Sequence, residues 1–237
     1  MSHLPRRPRQ AAFTLVELLV VIGIIALLIA ILMPSLSRAR QQSQRIACMS
    51  NMRQLGMATM QYTTENKGWF PRAAGGGSAF DDWIYWESAR ATTRDEGRLV
   101  KYLGTRFVEA HYICPSDNLN GHLTYPYSYT MNEFMGGVVA ANNGDLHGRI
   151  KVTQVKRSAE KIMFIDESSQ TIDDGCWAPQ RYNTSSYKNL LSNRHDKKSE
   201  DKTDPNAGSG NALFCDGHAS VIARKESANQ DWYDPAR

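Results

Sequence analysis

One acidic residue, Glu17, stands at the start of a long apolar stretch. From Leu18 to Met33 the sequence reads LLVVIGIIALLIAILM, without a charged side chain. A carboxylate close to hydrocarbon is costly, by roughly 2.5–3.5 kcal/mol at the centre of a membrane helix, and usually has a partner. Residues four positions apart share a helix face, so Phe13 and Glu17 project from the same side. We therefore expect Glu17 to pair with a positive charge.

Four cysteines offer a second kind of chemistry: Cys48, Cys114, Cys176 and Cys215. An even number permits disulfides outside the cytoplasm, in three full pairings. The alternative is that all four are buried free thiols. Because no CxxC spacing occurs, we predict no zinc ribbon.

A third group comprises His195, Asp216 and His218, which could act as metal ligands or as a proton relay. No nucleophile motif accompanies them. The Asp216-Gly217 pair is explained by a turn, and His218 by its place in a strand. We therefore predict that the chain is not an enzyme and that it has no catalytic residue.

The apolar stretch has the length of a membrane span. From Phe13 to Met33 there are 21 residues, which give about 31 Å of helix against roughly 30 Å of bilayer core. Residues 1–12 carry three arginines and no acid. Two plain interpretations remain open. The first is a secretory signal peptide with a weak cleavage site at Ser35–Ser37, although the apolar regions of signal peptides typically span only ~7–15 residues. The second is a simple membrane anchor in which Glu17 has no special role.

This segment resembles the N-terminus of type IV prepilins and type II secretion pseudopilins. The likeness rests on the basic leader, a small residue before position 13, the sequence Phe-Thr-Leu-Val-Glu at 13–17, and Pro34 at the twenty-second position counted from Phe13. It covers residues 10–62, about a quarter of the chain. Ala12 departs from the pattern, because the family usually has glycine there.

The resemblance implies that a prepilin peptidase cleaves between Ala12 and Phe13 and that the new Phe13 amine is N-methylated. It also implies that Glu17 of one subunit meets the Phe13 amine of another. The protein would then be a structural subunit of a type II secretion pseudopilus or type IV pilus-like filament. Its partners would be other pilin-like subunits and inner membrane lipid.

The same resemblance implies a single-pass protein of the bacterial inner membrane with a periplasmic or extracellular head. The alternative function is a membrane-tethered surface module that binds a polysaccharide or a protein. Nucleic acid is not an expected partner. The chain has 28 Lys+Arg against 24 Asp+Glu, and loss of the leader arginines would leave an excess of only one positive charge.

Periodicity extends the helix beyond the membrane span. Apolar or small side chains recur every three or four residues, which predicts one buried stripe; they are Cys48, Met52, Leu55, Thr59 and Tyr62. Pro34 can kink the helix without ending it. We divide the chain into a leader (1–12), a transmembrane helix (13–34), an extramembrane half of the helix (35–64) and a globular head (65–237).

The C-terminal half is predicted to be β-structure. Alternating or apolar runs predict strands at 125–132, 161–166, 211–215 and 218–223. Asp216-Gly217 between the last two predicts a tight hairpin in which both turn residues have positive φ. A short helix is predicted within 95–108, and the aromatic run 82–86 as a short strand or a packing patch. The predicted fold class is α+β and pilin-like: a long N-terminal helix packed on a small antiparallel β-sheet head.

The C-terminal part also resembles many prepilin-like bacterial proteins that end with a histidine, a gap and N-x-L-F-x-D-G-H before the last strand. The matching residues are His195, Asn211, Leu213, Phe214, Asp216, Gly217 and His218. This resemblance supports a pseudopilin-like head and brings no established chemistry.

Related chains supply two further expectations. They recurrently have a helix cysteine and a Cys-Pro, which favours a Cys48–Cys114 disulfide that would contribute ~2–4 kcal/mol. Some pseudopilins bind calcium in a C-terminal loop, but no EF-hand spacing occurs here. We therefore predict no cofactor and no metal site, with calcium as the one candidate that the resemblance leaves open. The available carboxylates are Asp173, Asp174, Asp201, Asp204 and Asp216.

Overall fold

The structure is a computed structural model. It describes residues 14–75, 81–85, 94–104, 106–119, 122, 125–139, 145–179, 189–196, 204 and 206–237. The chain divides into two compact units, residues 1–42 and residues 43–237.

One helix, α1, runs from Leu15 to Glu65 and contains Pro34. Its large apolar side chains between Leu15 and Met33 are 46–72% exposed. Within the described residues α1 is the single helix whose length and hydropathy suit a membrane span. Because water solvates such a surface poorly, this part of α1 requires lipid or another apolar surface around it.

The later part of α1 belongs to the core of the second unit. The predicted stripe is confirmed, since all five of its side chains are buried. At Gly56 the helix lies very close to the sheet: a Cβ atom there would be 2.7 Å from Leu213 Cδ2. The helix ends where Gly68, at φ +85°, donates its N–H to Thr63 O at 2.8 Å, a left-handed ending that favours glycine.

Within the described residues seven strands follow: β1 (Tyr129–Asn132), β2 (Val138–Val139), β3 (Asp145–His147), β4 (Ile162–Asp166), β5 (Cys176–Trp177), β6 (Ser209–Phe214) and β7 (Ala219–Ala223). They form a five-stranded sheet in the order β5-β1-β4-β6-β7 and a two-stranded sheet of β2 and β3. The α+β prediction is confirmed. The sheet is mixed rather than antiparallel, because β5 pairs with β1 in parallel.

The parallel pair results from the path of the chain after β4. The connection from β4 crosses to the far edge of β1, where Met131 N–H donates to Gly175 O at 2.9 Å just before β5. A strand of two residues, Cys176–Trp177, is too short to show the alternation from which strands are predicted.

The predicted hairpin is confirmed as the antiparallel pair β6–β7, in register from Ser209↔Ala223 to Leu213↔Ala219. The predicted turn geometry is wrong, since Gly217 has positive φ (+92°) and Asp216 does not. Four residues separate the strands, and Asp216 Oδ1 accepts the His218 N–H at 3.0 Å. A side chain that caps the turn in this way removes the need for a second left-handed residue.

The remaining helices are short. The α-helices are α2 (Val100–Leu103), α3 (Glu133–Gly136), α4 (Arg224–Ser227) and α5 (Gln230–Tyr233). The 3-10 turns are Arg94–Glu96, Glu109–His111, Val152–Gln154 and Ser158–Glu160. The short helix predicted within 95–108 is therefore present as α2. In the aromatic run, Trp83, Ile84 and Tyr85 are buried and form no strand, so the packing interpretation applies to them; Trp86 lies outside the described residues.

Gly210→Ala is expected to destabilise the head. A Cβ atom at Gly210 would lie 2.0 Å from Ser192 O and 2.7 Å from Leu191 Cγ. The backbone of β6 must therefore shift, and overpacking of this kind costs about 1–3 kcal/mol. The measurement is urea unfolding followed by circular dichroism. Gly148→Ala is the matched control, because a Cβ atom there has no neighbour within 4 Å; equal effects at both positions would contradict the prediction.

Candidate functional site

The first functional region is the start of α1. Thr14 N–H and Thr14 Oγ1 both donate to Glu17 Oε2, at 2.9 and 2.8 Å, and Glu17 N–H donates to Thr14 Oγ1 at 3.2 Å. This reciprocal arrangement is a capping box. The sequence analysis missed it, although Thr14-x-x-Glu17 is its signature. Ala12 and Phe13 lie outside the described residues, so cleavage, methylation and charge pairing at these positions stay predictions.

The second region is a buried group of side chains in the head, here called the Cys–Asp–His cluster: Cys48, Cys114, Asp166 and His195. Their Sγ, carboxylate oxygen and ring nitrogen atoms all lie within 4.8 Å of one another. Cys114 Sγ is 3.1 Å from His195 Nε2. Asp166 Oδ2 is 3.6 Å from both Cys48 Sγ and His195 Nε2. Four atoms that bind protons or cations therefore converge on one point.

Four separate elements supply the cluster. Cys48 belongs to the buried stripe of α1, and Asp166 is the last residue of β4. Cys114 follows the 3-10 turn at 109–111. His195 lies in a segment that runs past the end of β4, where Ser192 N–H donates to Asp166 O at 2.7 Å. The fold, and no local sequence motif, creates this site.

The cluster is shielded from water. Cys48, Cys114 and Asp166 are 0% exposed, and the His195 side chain is 3% exposed. Tyr129 Oη and Asn211 Nδ2 approach Cys48 Sγ at 3.4 and 3.2 Å as donors. Two donors on one sulfur favour its thiolate form.

Arg194 orients the aspartate. Its Nη2 atom is 3.5 Å from Asp166 Oδ1, which leaves Oδ2 on the side of the sulfurs. Its Nη1 atom forms a close ion pair with Asp117, which also binds His122 Nε2 at 3.0 Å. Burial raises the pKa of Asp117, but the His122 hydrogen bond and the Arg194 charge outweigh this and hold that pKa at about 2.

The protonation states inside the cluster depend on one another. Burial lowers the pKa of His195, yet the hydrogen bond and charge of Asp166 raise it to about 9. Burial raises the pKa of the Cys48 thiol, and the hydrogen bonds from Cys114, His195 and Tyr129 more than reverse this, so that it is lowered overall. Both thiols are fully buried.

The four cysteines are free and buried. Cys48 and Cys114, which were predicted to pair, do lie in one cluster, and their disulfide stays a prediction. The other two lie elsewhere in the head. Cys176 Sγ is 3.8 Å from Glu133 Oε2, and Cys215 Sγ is 3.6 Å from Met135 Sδ.

The structure separates the three residues considered for a relay. His195 joins the Cys–Asp–His cluster, whereas Asp216 and His218 form their own pair in the hairpin, with Oδ1 and Nδ1 at 2.6 Å. The side chains of this pair are 35% and 45% exposed, and the His218 ring stacks on Phe214 at 4.3 Å. Asn211 and His195, which share one sequence pattern, both contact cysteines of the cluster.

Among the described residues, the Cys–Asp–His cluster is the one group of three or more His, Cys, Asp or Glu side chains able to hold a metal ion. The structure does not bring together the aspartates considered for calcium, and Asp201 lies outside the described residues. Sequence reasoning missed Asp166 as a site residue. The signal was present, since Asp166 is a lone acid at the end of an otherwise apolar strand.

Comparison with known families finds a match in the N-terminal region. Residues 7–33 match the model of the prokaryotic N-terminal methylation motif. No curated protein and no solved structure is significantly similar to the chain. The matched residues include Ala12, Phe13 and Glu17, and they overlap the exposed apolar part of α1.

Proposed function

We propose that this chain is a structural subunit of a type II secretion pseudopilus or type IV pilus-like filament. Its N-terminal methylation motif and long apolar helix are those of a type IV pilin-like or pseudopilin-like protein. The observation that carries the proposal is the motif at residues 7–33, directly followed by a helix that continues into a folded head. A motif of this kind implies processing by a prepilin peptidase and assembly with other pilin-like subunits.

The exposed apolar surface of α1 suits both environments that such a subunit would occupy, the membrane before assembly and the filament afterwards. Its apolar side chains up to Met33 point in all directions around the helix and are all exposed in the isolated chain. A helix that is apolar all round is stable when it is surrounded by lipid or by other helices. Inner membrane lipid would surround it before assembly, and the helices of neighbouring subunits afterwards.

The capping box supports a role for Glu17 between subunits. Glu17 Oε2 accepts both hydrogen bonds from Thr14; within the described residues Oε1 accepts none. One carboxylate can therefore close its own helix and still accept the amine of another subunit's Phe13. Each charge is costly alone in hydrocarbon, and pairing removes much of that cost.

The mature N-terminus provides the direct test. We expect mass spectrometry of protein isolated from the native membrane to find a chain that begins at Phe13 and carries one added methyl group on its amine. Ala12→Gly should be processed in the same way, because the site requires a small residue, and Ala12→Leu should remain uncleaved. A native chain that still begins at Met1, or that begins after Ser37, would overturn the proposal.

A further inference from the structure

We propose that the Cys–Asp–His cluster is a structural zinc site, with Cys48 Sγ, Cys114 Sγ, Asp166 Oδ2 and His195 Nε2 as its four ligands. The proposal concerns the head alone and does not depend on processing or assembly at the N-terminus.

The spacing of the ligand atoms is close to that around a tetrahedral ion. Zinc bonds of about 2.0–2.3 Å at tetrahedral angles place neighbouring ligand atoms roughly 3.3–3.8 Å apart. The measured separations are 3.1 Å from Cys114 Sγ to His195 Nε2, and 3.6 Å from Asp166 Oδ2 to both Cys48 Sγ and His195 Nε2. Since all four atoms lie within 4.8 Å of one another, small side-chain movements would complete the coordination.

The donor types also favour zinc. Thiolate and imidazole together select zinc over the hard cations calcium and magnesium, which prefer oxygen. Four protein ligands leave no open position for water, which is the pattern of structural zinc sites rather than catalytic ones. The expected role is therefore to stabilise the head.

Burial provides the energetic argument. Asp166 is 0% exposed, and within the described part of the chain its Oδ1 atom accepts no hydrogen bond. A buried carboxylate beside two thiols is costly unless a positive charge compensates it. Arg194 compensates only in part, because it also pairs with Asp117. A divalent cation among the four donors would take the place of the proton that His195 holds and would compensate Asp166 and both thiolates together.

The surroundings of the cluster resemble the supporting contacts of metal sites. Asn211 Nδ2 and Tyr129 Oη lie near Cys48 Sγ, and Arg194 holds the second oxygen of Asp166. Contacts of this kind orient metal ligands, and their loss typically weakens metal affinity by about 10–100-fold. They also explain why an asparagine lies opposite a helix cysteine in the core.

A zinc ion and the predicted Cys48–Cys114 disulfide exclude each other, because each uses both sulfurs. The full-length chain should therefore be isolated from membranes in mild detergent without reductant, so that its native oxidation state is kept. We expect elemental analysis to find one zinc per chain and thiol titration in denaturant with chelator to find four free cysteines. Replacement by Co²⁺ should give the visible absorption of a tetrahedral site with thiolate ligands.

Variants distinguish the loss of zinc binding from a general destabilisation of the core. Cys114→Ala should abolish stoichiometric zinc, whereas Cys215→Ala, which removes a buried thiol outside the cluster, should retain it. Asn211→Ala keeps all four ligands and should weaken zinc affinity by about 10–100-fold. For the wild-type chain, removal of zinc by a chelator should lower the melting temperature, and added zinc should restore it.

Three results would overturn the proposal. The first is a chain with two free thiols and no zinc, which would establish the disulfide instead. The second is a chain with four free thiols that takes up no zinc from solution. The third is zinc that remains stoichiometric in folded Cys114→Ala and His195→Ala, since the metal would then be bound elsewhere.

Discussion

A Glu17→Gln chain is expected to reach the membrane and lose its leader, yet fail to enter filaments. Glutamine can accept the hydrogen bonds from Thr14, so the capping box is retained. What is lost is the negative charge that we propose to neutralise the Phe13 amine of a neighbouring subunit. Removing one partner of a desolvated ion pair costs about 3–5 kcal/mol, so we expect at least about a 100-fold fall in incorporation.

The measurement is the amount of the chain in sheared filaments or in cross-linked subunit complexes, relative to the amount in the membrane. Thr14→Ala is the matched control, because it breaks the capping box, at a cost of about 1 kcal/mol, and keeps the carboxylate. Thr14→Ala should therefore assemble. Normal incorporation of Glu17→Gln would contradict charge pairing at this position, whereas absence of the unaltered chain from filaments would favour the membrane-tethered binding module.

Trp83→Ala is expected to destabilise the head strongly. Trp83 is 0% exposed, and its ring packs edge-on against Phe164, with centroids 5.0 Å apart. Its Nε1–H donates to Gly175 O at 2.9 Å, next to the parallel strand β5. Large-to-small changes at buried aromatic positions cost about 3–5 kcal/mol, out of a total stability of about 5–15 kcal/mol.

Urea unfolding followed by circular dichroism measures this loss. Trp83→Phe keeps an aromatic ring and removes the Nε1–H donor, with its contacts to Ala73 O and Gly175 O, together with part of the ring volume. It should therefore cost less than Trp83→Ala. Met57→Ala serves as the control, since Met57 is 59% exposed on α1 and its truncation should change stability little. If Trp83→Ala were as stable as Met57→Ala, the packing described around the tryptophan would be incorrect.

The parts of the fold that sequence predicted well are those with a regular period. The stripe from Cys48 to Tyr62 follows the helical repeat, and each of its side chains is buried. The strands β4, β6 and β7 combine apolar runs with a recognisable turn. In these segments the local sequence pattern and the burial in the fold agree, so few alternative structures compete with the predicted one.

Sequence failed where the structure depends on contacts between distant segments. Strand β5 has only two residues, and its direction is set by β1 and not by its own composition. The Cys–Asp–His cluster joins positions 48, 114, 166 and 195, for which no spacing rule exists. Cys48 and Cys114 were expected to form a disulfide and His195 was considered for a relay, whereas Asp166 carried no expectation as a site residue. Only the tertiary fold shows that the four belong to one site.

The interlocking of α1 with the head has a practical consequence for any water-soluble fragment. A fragment that starts after Glu65 would lack Met52, Leu55 and Tyr62, all buried in the core, and would expose the sheet surface that they cover. It would also lack Cys48, which is one of the four side chains of the Cys–Asp–His cluster. A fragment that starts near Ser43, where the second compact unit begins, would lack the exposed apolar part of α1 and keep the later part of α1 that packs in the core of the head.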